Sequence, residues 1–377
     1  MKTIIILGGG VGGIVTANEL RKKIGKEHKI IVIDKEQKHL FASSLLWVMN
    51  GTRKQKEISR QLSTLNKKGI EFINGNIEKF DPVSKEVTVN GNILKGDFFV
   101  VALGAEISDN MDINNKGYNI YTPEGSEGLY KALSQFKSGK VVVLVSSLPF
   151  KCPAAPYETA LLINSLLLKK GFTPEIELYS PEIGPMGVAG KELSAMLRGI
   201  VEAKGIKYFP EYQVAAVETK SIKFNNEVYT TYDLLAYIPK HQCPKVIKDT
   251  ELVDESGWVK ITNRNTLETK FAGVFAIGDI TNIPLAQGKP LPKAGVFAHY
   301  QAHTVANNIA FAITGKGVLE QFTGDGMCFI ELGDNKAGFA KGNFYAEPLP
   351  TIKMFMPGFH WHVGKILFEK IFLSKWF

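Results

Sequence analysis

The sequence predicts an α/β fold of parallel sheets with helices wound over their faces, and three glycine-marked stretches carry that prediction. The first is Ile4-Ile5-Ile6-Leu7-Gly8-Gly9-Gly10-Val11-Gly12-Gly13, an apolar β-run that breaks into a glycine turn. The second is Val100-Val101-Ala102-Leu103-Gly104-Ala105, and the third is Gly273-Val274-Phe275-Ala276-Ile277-Gly278-Asp279. Each is a short apolar strand that stops at glycine, the pattern of a buried parallel strand handing its C-terminal end to a loop.

The elements follow in order. Residues 2–7 form the first strand, and a helix over residues 11–21 follows it directly. A second strand, 29–33, ends in Asp34, and later strands fall at 71–73, 87–89 and 98–103. A second α/β unit opens with strand 140–145 and helix 157–170, then strand 175–179 and helix 191–204. The chain returns to its first unit with the Gly278-Asp279 strand and a helix over 296–314, and two further strands, 327–332 and 337–343, precede an aromatic tail. The expected organisation is a discontinuous first domain, 1–105 and 264–310, a second Rossmann-like domain, 106–263, and a C-terminal region, 311–377. The whole is glutathione-reductase-like, with a membrane-interface segment at its end.

The first glycine turn points to a dinucleotide. Gly8, Gly10 and Gly13 stand in the G-x-G-x-x-G arrangement. The first permits the tight turn, the second lets backbone approach a pyrophosphate, and the third lets helix pack on strand. Val11 and Gly12 begin the helix, whose N-terminal N–H groups and dipole favour phosphate charge. Asp34, followed by Lys35, is placed to accept hydrogen bonds from a ribose, and backbone near Ile77 can meet an adenine. Leu103 and Gly104 line the same expected site. Gly278-Asp279 then chooses the ligand: a carboxylate at a strand end suits the ribityl chain of FAD, which NAD lacks. Asp279 equally suits a helix N-cap.

Composition sets the outer limits. A chain of 377 residues suits two or three domains, and 45% hydrophobic with 22% charged residues are globular values. The net charge of +8 comes from scattered lysines without interleaved aromatic runs, which disfavours nucleic acid and suits an anionic membrane surface. The chain opens on a strand with no signal-peptide pattern, and no stretch is long and apolar enough to span a bilayer. Three cysteines argue against a disulfide framework and for redox use. His299 and His303 share one helix face, but no third ligand accompanies them, so no metal is predicted.

The second unit has an informative absence. After strand 140–145 comes Ser146-Ser147-Leu148-Pro149-Phe150-Lys151-Cys152-Pro153, with no glycine loop. Proline and bulky side chains deny a pyrophosphate its close approach. A cysteine stands in that space, which argues against a nicotinamide donor and for thiol chemistry.

These motifs together resemble the sulfide:quinone oxidoreductases. The resemblance rests on Gly8–Gly13, Cys152-Pro153-Ala154-Ala155-Pro156-Tyr157-Glu158, the Gly278-Asp279 strand, Leu291-Pro292-Lys293-Ala294-Gly295-Val296-Phe297-Ala298, Gly326-Met327-Cys328 and the tail from Trp361 to Lys370. It implies FAD, sulfide and a membrane quinone as cofactor and substrates. It implies that Cys152 and Cys328 form a disulfide or sulfur-bridged pair beside the flavin. Hydrosulfide attacks one sulfur and leaves a persulfide, and the released thiolate reduces the flavin. Such chemistry asks for an accessible cysteine with a lowered pKa. Glu158 matches a proton-handling glutamate, and Lys293 with Gly295 a turn that touches the flavin ring. Two separate buried thiols, and a Glu158 that only serves the helix dipole, are the alternatives. The chain departs from the pattern in having no cysteine between residues 105 and 140, so non-covalent FAD is expected, and Cys243 is no obvious substitute. A type II NADH:quinone oxidoreductase and the flavoprotein subunit of a flavocytochrome c sulfide dehydrogenase are the competing readings.

The tail is expected to dip into a membrane over residues 354–377 and to open a quinone path, giving a peripheral protein on the cytoplasmic face. Trp and Lys suit an interface. Phe329, Phe355, Phe359 and Trp361 are the candidates to flank the quinone. On a helical wheel His362, Lys365 and Glu369 cluster, with Trp376 among them, so the polar stripe is imperfect. A groove-packed helix or a dimer contact is the alternative, and the oligomeric state, a homo-oligomer included, is left open.

Overall fold

Thr3–Leu7, Thr-Ile-Ile-Ile-Leu, is the central strand of a five-stranded parallel sheet. Its β-branched side chains are almost wholly buried on both faces, as a parallel strand covered on both sides requires. The computed structural model describes residues 1–109 and 111–377. The strand order across this sheet is Val274–Ala276, Phe98–Val101, Thr3–Leu7, Lys29–Asp34, Glu71–Asn74. Strand Val274–Ala276 therefore comes home after the chain has built its second unit, and its Gly278-Asp279 end lies beside the first glycine turn. Helices Val11–Lys23 and Gly295–Thr314 pack on each other and cover one face. An antiparallel sheet, Ile77–Asp81, Glu86–Val89 and Asn92–Lys95, covers the other through Phe80 and Val87.

The second unit repeats the plan. Tyr118–Asn119, Leu234–Ile238, Lys140–Val145, Glu175–Tyr179 and Lys207–Phe209 form a second parallel sheet. Helices Pro123–Gln135, Ala155–Lys169 and Lys191–Ala203 cover one face. A small antiparallel sheet, with Tyr179 and Phe224 stacked 4.6 Å apart, covers the other. A two-strand ribbon, Glu106–Ser108 against Lys240–Gln242, marks the crossings between the units. Beyond it Cys243, Leu252, Trp258 and Val259 pack into the core of the first sheet.

The C-terminal region differs from its expected form. Residues 354–377, expected to dip into a membrane as one segment, divide between the end of a strand, Thr351–Gly358, and a helix, Phe359–Lys375. The strand completes an antiparallel sheet with Asp325–Gly333 and Lys336–Asn343. It escaped notice because Pro357 and a glycine-marked end mask a strand whose hydrophobic residues do not alternate. The helix carries its polar stripe inward. Lys365, Glu369 and Trp376 are buried, while Phe359, Leu367 and Ile371 are 62%, 54% and 61% exposed. The Trp376 that spoiled a solvent-facing stripe belongs to a protein-facing one. No helix among the described residues is long and apolar enough to cross a membrane.

Candidate active site

Every expected cofactor residue except Gly13 lines one groove of about 1680 Å³ at the carboxyl ends of the first sheet. The glycines divide the work. Gly8 has φ +109°, and a Cβ there would lie 2.4 Å from the Ala102 carbonyl oxygen. A Cβ on Gly13 would lie 1.8 Å from the Gly8 carbonyl oxygen, so Gly13 serves the helix–strand contact. A Cβ on Gly10 would meet nothing within 4 Å, because it would project into the groove itself. Asp34 accepts hydrogen bonds from the Gly9 and Glu36 backbone N–H groups at 2.6 and 2.8 Å, one on each oxygen. Burial raises its pKa, opposed by those two N–H donors. Each oxygen keeps a lone pair for a hydroxyl.

Asp279 is the sharper sign of a ligand. Its Oδ1 is buried without a hydrogen-bond partner, and burial raises its pKa while Lys151 and Lys293 oppose the rise. A carboxylate oxygen orphaned on the wall of a groove is costly unless a donor arrives. A polyhydroxylated chain supplies such donors, so the residues present fit a flavin dinucleotide. Lys293 donates to the carbonyl oxygens of Asp279 and Thr281 at 2.6 and 3.1 Å and lies 3.4 Å from the Trp258 ring centroid. Burial lowers its pKa to about 8. Its ammonium thus first secures the Gly-Asp turn.

The second cavity is apolar, about 780 Å³, and shares Val11, Phe41, Cys152, Lys293, Ala294 and Gly295 with the groove. Cys152 and Cys328 both line it, although 176 residues separate them in the chain. Cys152 holds a left-handed backbone, φ +54°, and its N–H donates to the Lys293 carbonyl oxygen at 2.7 Å. The segment that lacks the glycine loop thereby reaches from the second unit to the Lys293 turn of the first. Both thiols are free, and neither has the lowered pKa that the sequence reading asked for. Burial pushes Cys152 up to about 12, with Glu158 adding to the rise and Lys365 opposing it. Burial and Glu158 likewise push Cys328 up, and so does Cys152. Cys243 lies in the first unit's core, outside both cavities, and burial raises it to about 11.

Glu158, one turn into helix Ala155–Lys169, lines the apolar cavity. Its Oε1 accepts from the Glu331 N–H and from Lys365 Nζ, both at 2.8 Å. Its position in the first turn is not its whole role, since a buried ion pair ties it to the C-terminal helix. Lys365 was missed in the sequence. Burial opposes its charge, but Glu158 and Glu331 hold its pKa above the ordinary value. The signal was present as His362, Lys365 and Glu369 on one face of an otherwise apolar helix. Their partners are Glu331 at 2.9 Å for His362, Glu158 for Lys365, and Arg53 at 3.0 Å with Ser44 at 2.6 Å for Glu369.

Of the aromatic candidates, Phe329 alone lines the apolar cavity. Phe355 and Trp361 stand behind it: Trp361 stacks on Phe339 at 4.5 Å, and Phe339 meets Phe329 at 4.9 Å and Phe355 at 5.8 Å. Phe359 points outward. Phe368 and Phe372 of the same helix line the cavity and were not anticipated. His299 and His303 meet edge to face at 4.9 Å beside Trp376.

Fold and site resemble those of the two-dinucleotide-domain oxidoreductases of the disulfide-reductase type. A family model described as pyridine nucleotide-disulphide oxidoreductase matches residues 2–144. Within that class the resemblance to sulfide:quinone oxidoreductases stands over essentially the whole chain. The sulfide-quinone reductase of Aquifex aeolicus is 27% identical over 398 residues, 99% of this chain and 91% of the relative. The mitochondrial sulfide:quinone oxidoreductase of Mus musculus is 24% identical over 371 residues, 92% of this chain and 79% of the relative. The X-ray structure of the Aquifex aeolicus sulfide:quinone oxidoreductase superposes with a TM-score of 0.89 at 26% identity, covering 100% of this chain and 91% of that one. Type II NADH:quinone oxidoreductases of Staphylococcus match more weakly, over 85% of the chain. These relationships imply a flavin cofactor.

Proposed function

We propose that this chain is an FAD-dependent sulfide:quinone oxidoreductase, oxidising sulfide to polysulfide or sulfur and reducing a membrane quinone. The observation that carries the reading is Cys152 bonded through its backbone to the turn beneath the groove, in one cavity with Cys328. Gly8, Gly10, Val11, Gly12, Asp34, Lys35, Ile77, Leu103, Gly104, Gly278, Asp279 and Gly295 would hold the dinucleotide without a covalent link. FAD, when bound, would take an electron pair from the thiols and pass it to the quinone.

In the oxidised pair, hydrosulfide attacks one cysteine sulfur, the S–S bond breaks, and a persulfide and a thiolate result. The raised thiol pKa values belong to reduced cysteines in an apolar wall. A thiolate there is a poorer leaving group than an ordinary one but, once formed, a stronger nucleophile and electron donor. Lys365 supplies the opposing cation, and Glu158 fixes that cation at the cavity. The aromatic wall of Phe329, Phe368 and Phe372 suits a quinone ring. The exposed apolar face of helix Phe359–Lys375, rimmed by lysines, suits a monotopic seat on an anionic membrane.

Purified protein should reduce a soluble quinone analogue in a strictly sulfide-dependent manner, with persulfide or polysulfide recovered. NADH-dependent quinone reduction without a sulfide rate would replace this reading by the type II one. Removing residues 361–377 should abolish flotation with anionic liposomes, and unchanged flotation would remove the membrane seat.

A further inference from the structure

The proposed reaction needs protons as well as electrons. A quinone takes two electrons and two protons to become a quinol, and an O–H bond forms at each ring oxygen. Several ionisable side chains line the apolar cavity, Glu182, Lys289, Lys293, His299 and Lys341 among them, but the pair whose charges bear on both thiols is Glu158 and Lys365, and both are buried. Each proton that leaves them must be replaced from water.

One continuation of that pair reaches the surface. Glu331 lies on strand Asp325–Gly333, three residues beyond Cys328; its backbone N–H binds Glu158, and its carboxylate, 1% exposed, faces Lys365. The same carboxylate meets His362 Nδ1 with both oxygens, at 2.9 and 3.1 Å. The His362 side chain is 16% exposed. Its ring lies edge-on to Trp47 at 6.0 Å, and two cations also meet the Trp47 ring, Arg53 at 4.9 Å, bonded to Glu369, and Lys365 at 5.3 Å. The groups facing His362 are thus Glu331 on the strand, Lys365 on its own helix, and Arg53 across Trp47. Glu158 stands one step further in.

We propose that Glu331 and His362 are the proton inlet of the quinone half-reaction. An N–H or O–H bond breaks at the Glu158–Lys365 pair as the quinone O–H bond forms. Glu331 restores that proton and recovers its own from His362, which exchanges with water. Lys365 Nζ is bound to Glu158, and the Glu331 carboxylate attracts it from the other side without an ion pair, so the lysine side chain would swing between the two carboxylates to carry the proton. A buried carboxylate holding a partly exposed imidazole at the end of such a row has the parts of a relay. Glu331 and His362 act through Lys365 and are positioning and relay residues.

This inference rests on the quinone-reducing reading, and its test separates the two. His362→Gln keeps a donor to Glu331 but cannot carry a proton, so the fold and flavin content should be preserved. The flavin is reduced anaerobically, by sulfide in one arm and by dithionite in the other, and reoxidation by a soluble quinone is followed. The sulfide-driven reduction should stay within about twofold of the parent, whereas reoxidation should slow by roughly tenfold or more, with a larger solvent isotope effect, and recover with added imidazole. Glu331→Gln should slow reoxidation without imidazole rescue. Thermal melting of flavin-free His362→Gln should match that of the flavin-free parent. Parent-like reoxidation in His362→Gln, or slowing without rescue together with a lowered melting point, would overturn the relay. Failure of sulfide to reduce the parent protein would instead overturn the functional reading, because the dithionite arm reports on the inlet alone.

Discussion

The two parallel sheets are built alike but end differently, and the difference assigns the chemistry. In the first, three residues, Gly8 to Gly10, join strand Thr3–Leu7 to helix Val11–Lys23. In the second, nine residues, Ser146 to Ala154, join strand Lys140–Val145 to helix Ala155–Lys169. The short join makes a bare backbone cradle beneath a helix N-terminus. The long one contains bulk and proline, and it spends its length carrying Cys152 across to the Lys293 carbonyl. On the proposed reading, one architecture thus serves as a phosphate seat in one copy and a thiol reach in the other. The loop decides which, as expected where function sits on loops held by a rigid scaffold.

Breaking the thiol side should have the largest effect. Cys152→Ser or Cys328→Ser should lower sulfide-driven flavin reduction by roughly three orders of magnitude, with flavin still bound, as stopped-flow absorbance will show. Breaking the cradle should act on binding alone. Gly10→Ala puts its Cβ into open groove without a clash, so the chain should fold yet hold flavin roughly tenfold more weakly, by fluorescence titration. Gly13→Ala, by contrast, drives a Cβ into the Gly8 carbonyl and should lower the melting temperature.

The third helix-borne feature joins the two sides. Lys365→Met leaves Glu158 buried without its cation and should destabilise the chain by about 3–5 kcal/mol in denaturant titration. Adding Glu158→Gln should return much of that loss, although not the activity. The smallest effect concerns pH. His39 donates to the Gly9 carbonyl oxygen at 3.0 Å, stacks on Phe372 and meets Phe377 at a tilt. Burial lowers its pKa to about 4 from an ordinary 6.5. The unfolded chain therefore binds more protons between those values, so this contribution is complete above about pH 6.5 and is lost as pH falls towards 4. His39→Gln should flatten that part of the stability profile.

Much of this was legible in the sequence because strand ends and glycine turns are local. Gly8, Gly10, Asp34, Gly104 and Gly278-Asp279 announce themselves within a few residues, and the sheets bring them to one groove. The missing glycine loop was equally readable, since Pro149 and Phe150 exclude a cradle wherever they stand. What was not legible depends on packing between distant segments. The thiol pKa values follow from burial in a cavity whose walls come from three regions. The ion pairs of Lys365 and Glu369 join residues far apart in sequence, and the helical stripe shows that a polar face exists without showing that it faces inward. Strand Thr351–Gly358 is set by its pairing with Lys336–Asn343 more than by its own pattern.

The most direct test is to mix the oxidised, flavin-loaded protein anaerobically with sulfide and, separately, with NADH, and to follow the visible flavin absorbance. Rapid bleaching by sulfide with none by NADH is the expected result, since electrons should enter through Cys152 and Cys328 and the loop from Ser146 to Ala154 offers no glycine cradle for a nicotinamide dinucleotide. Bleaching by NADH and not by sulfide would contradict the assignment of the second sheet's long loop to thiol chemistry, and with it the central claim.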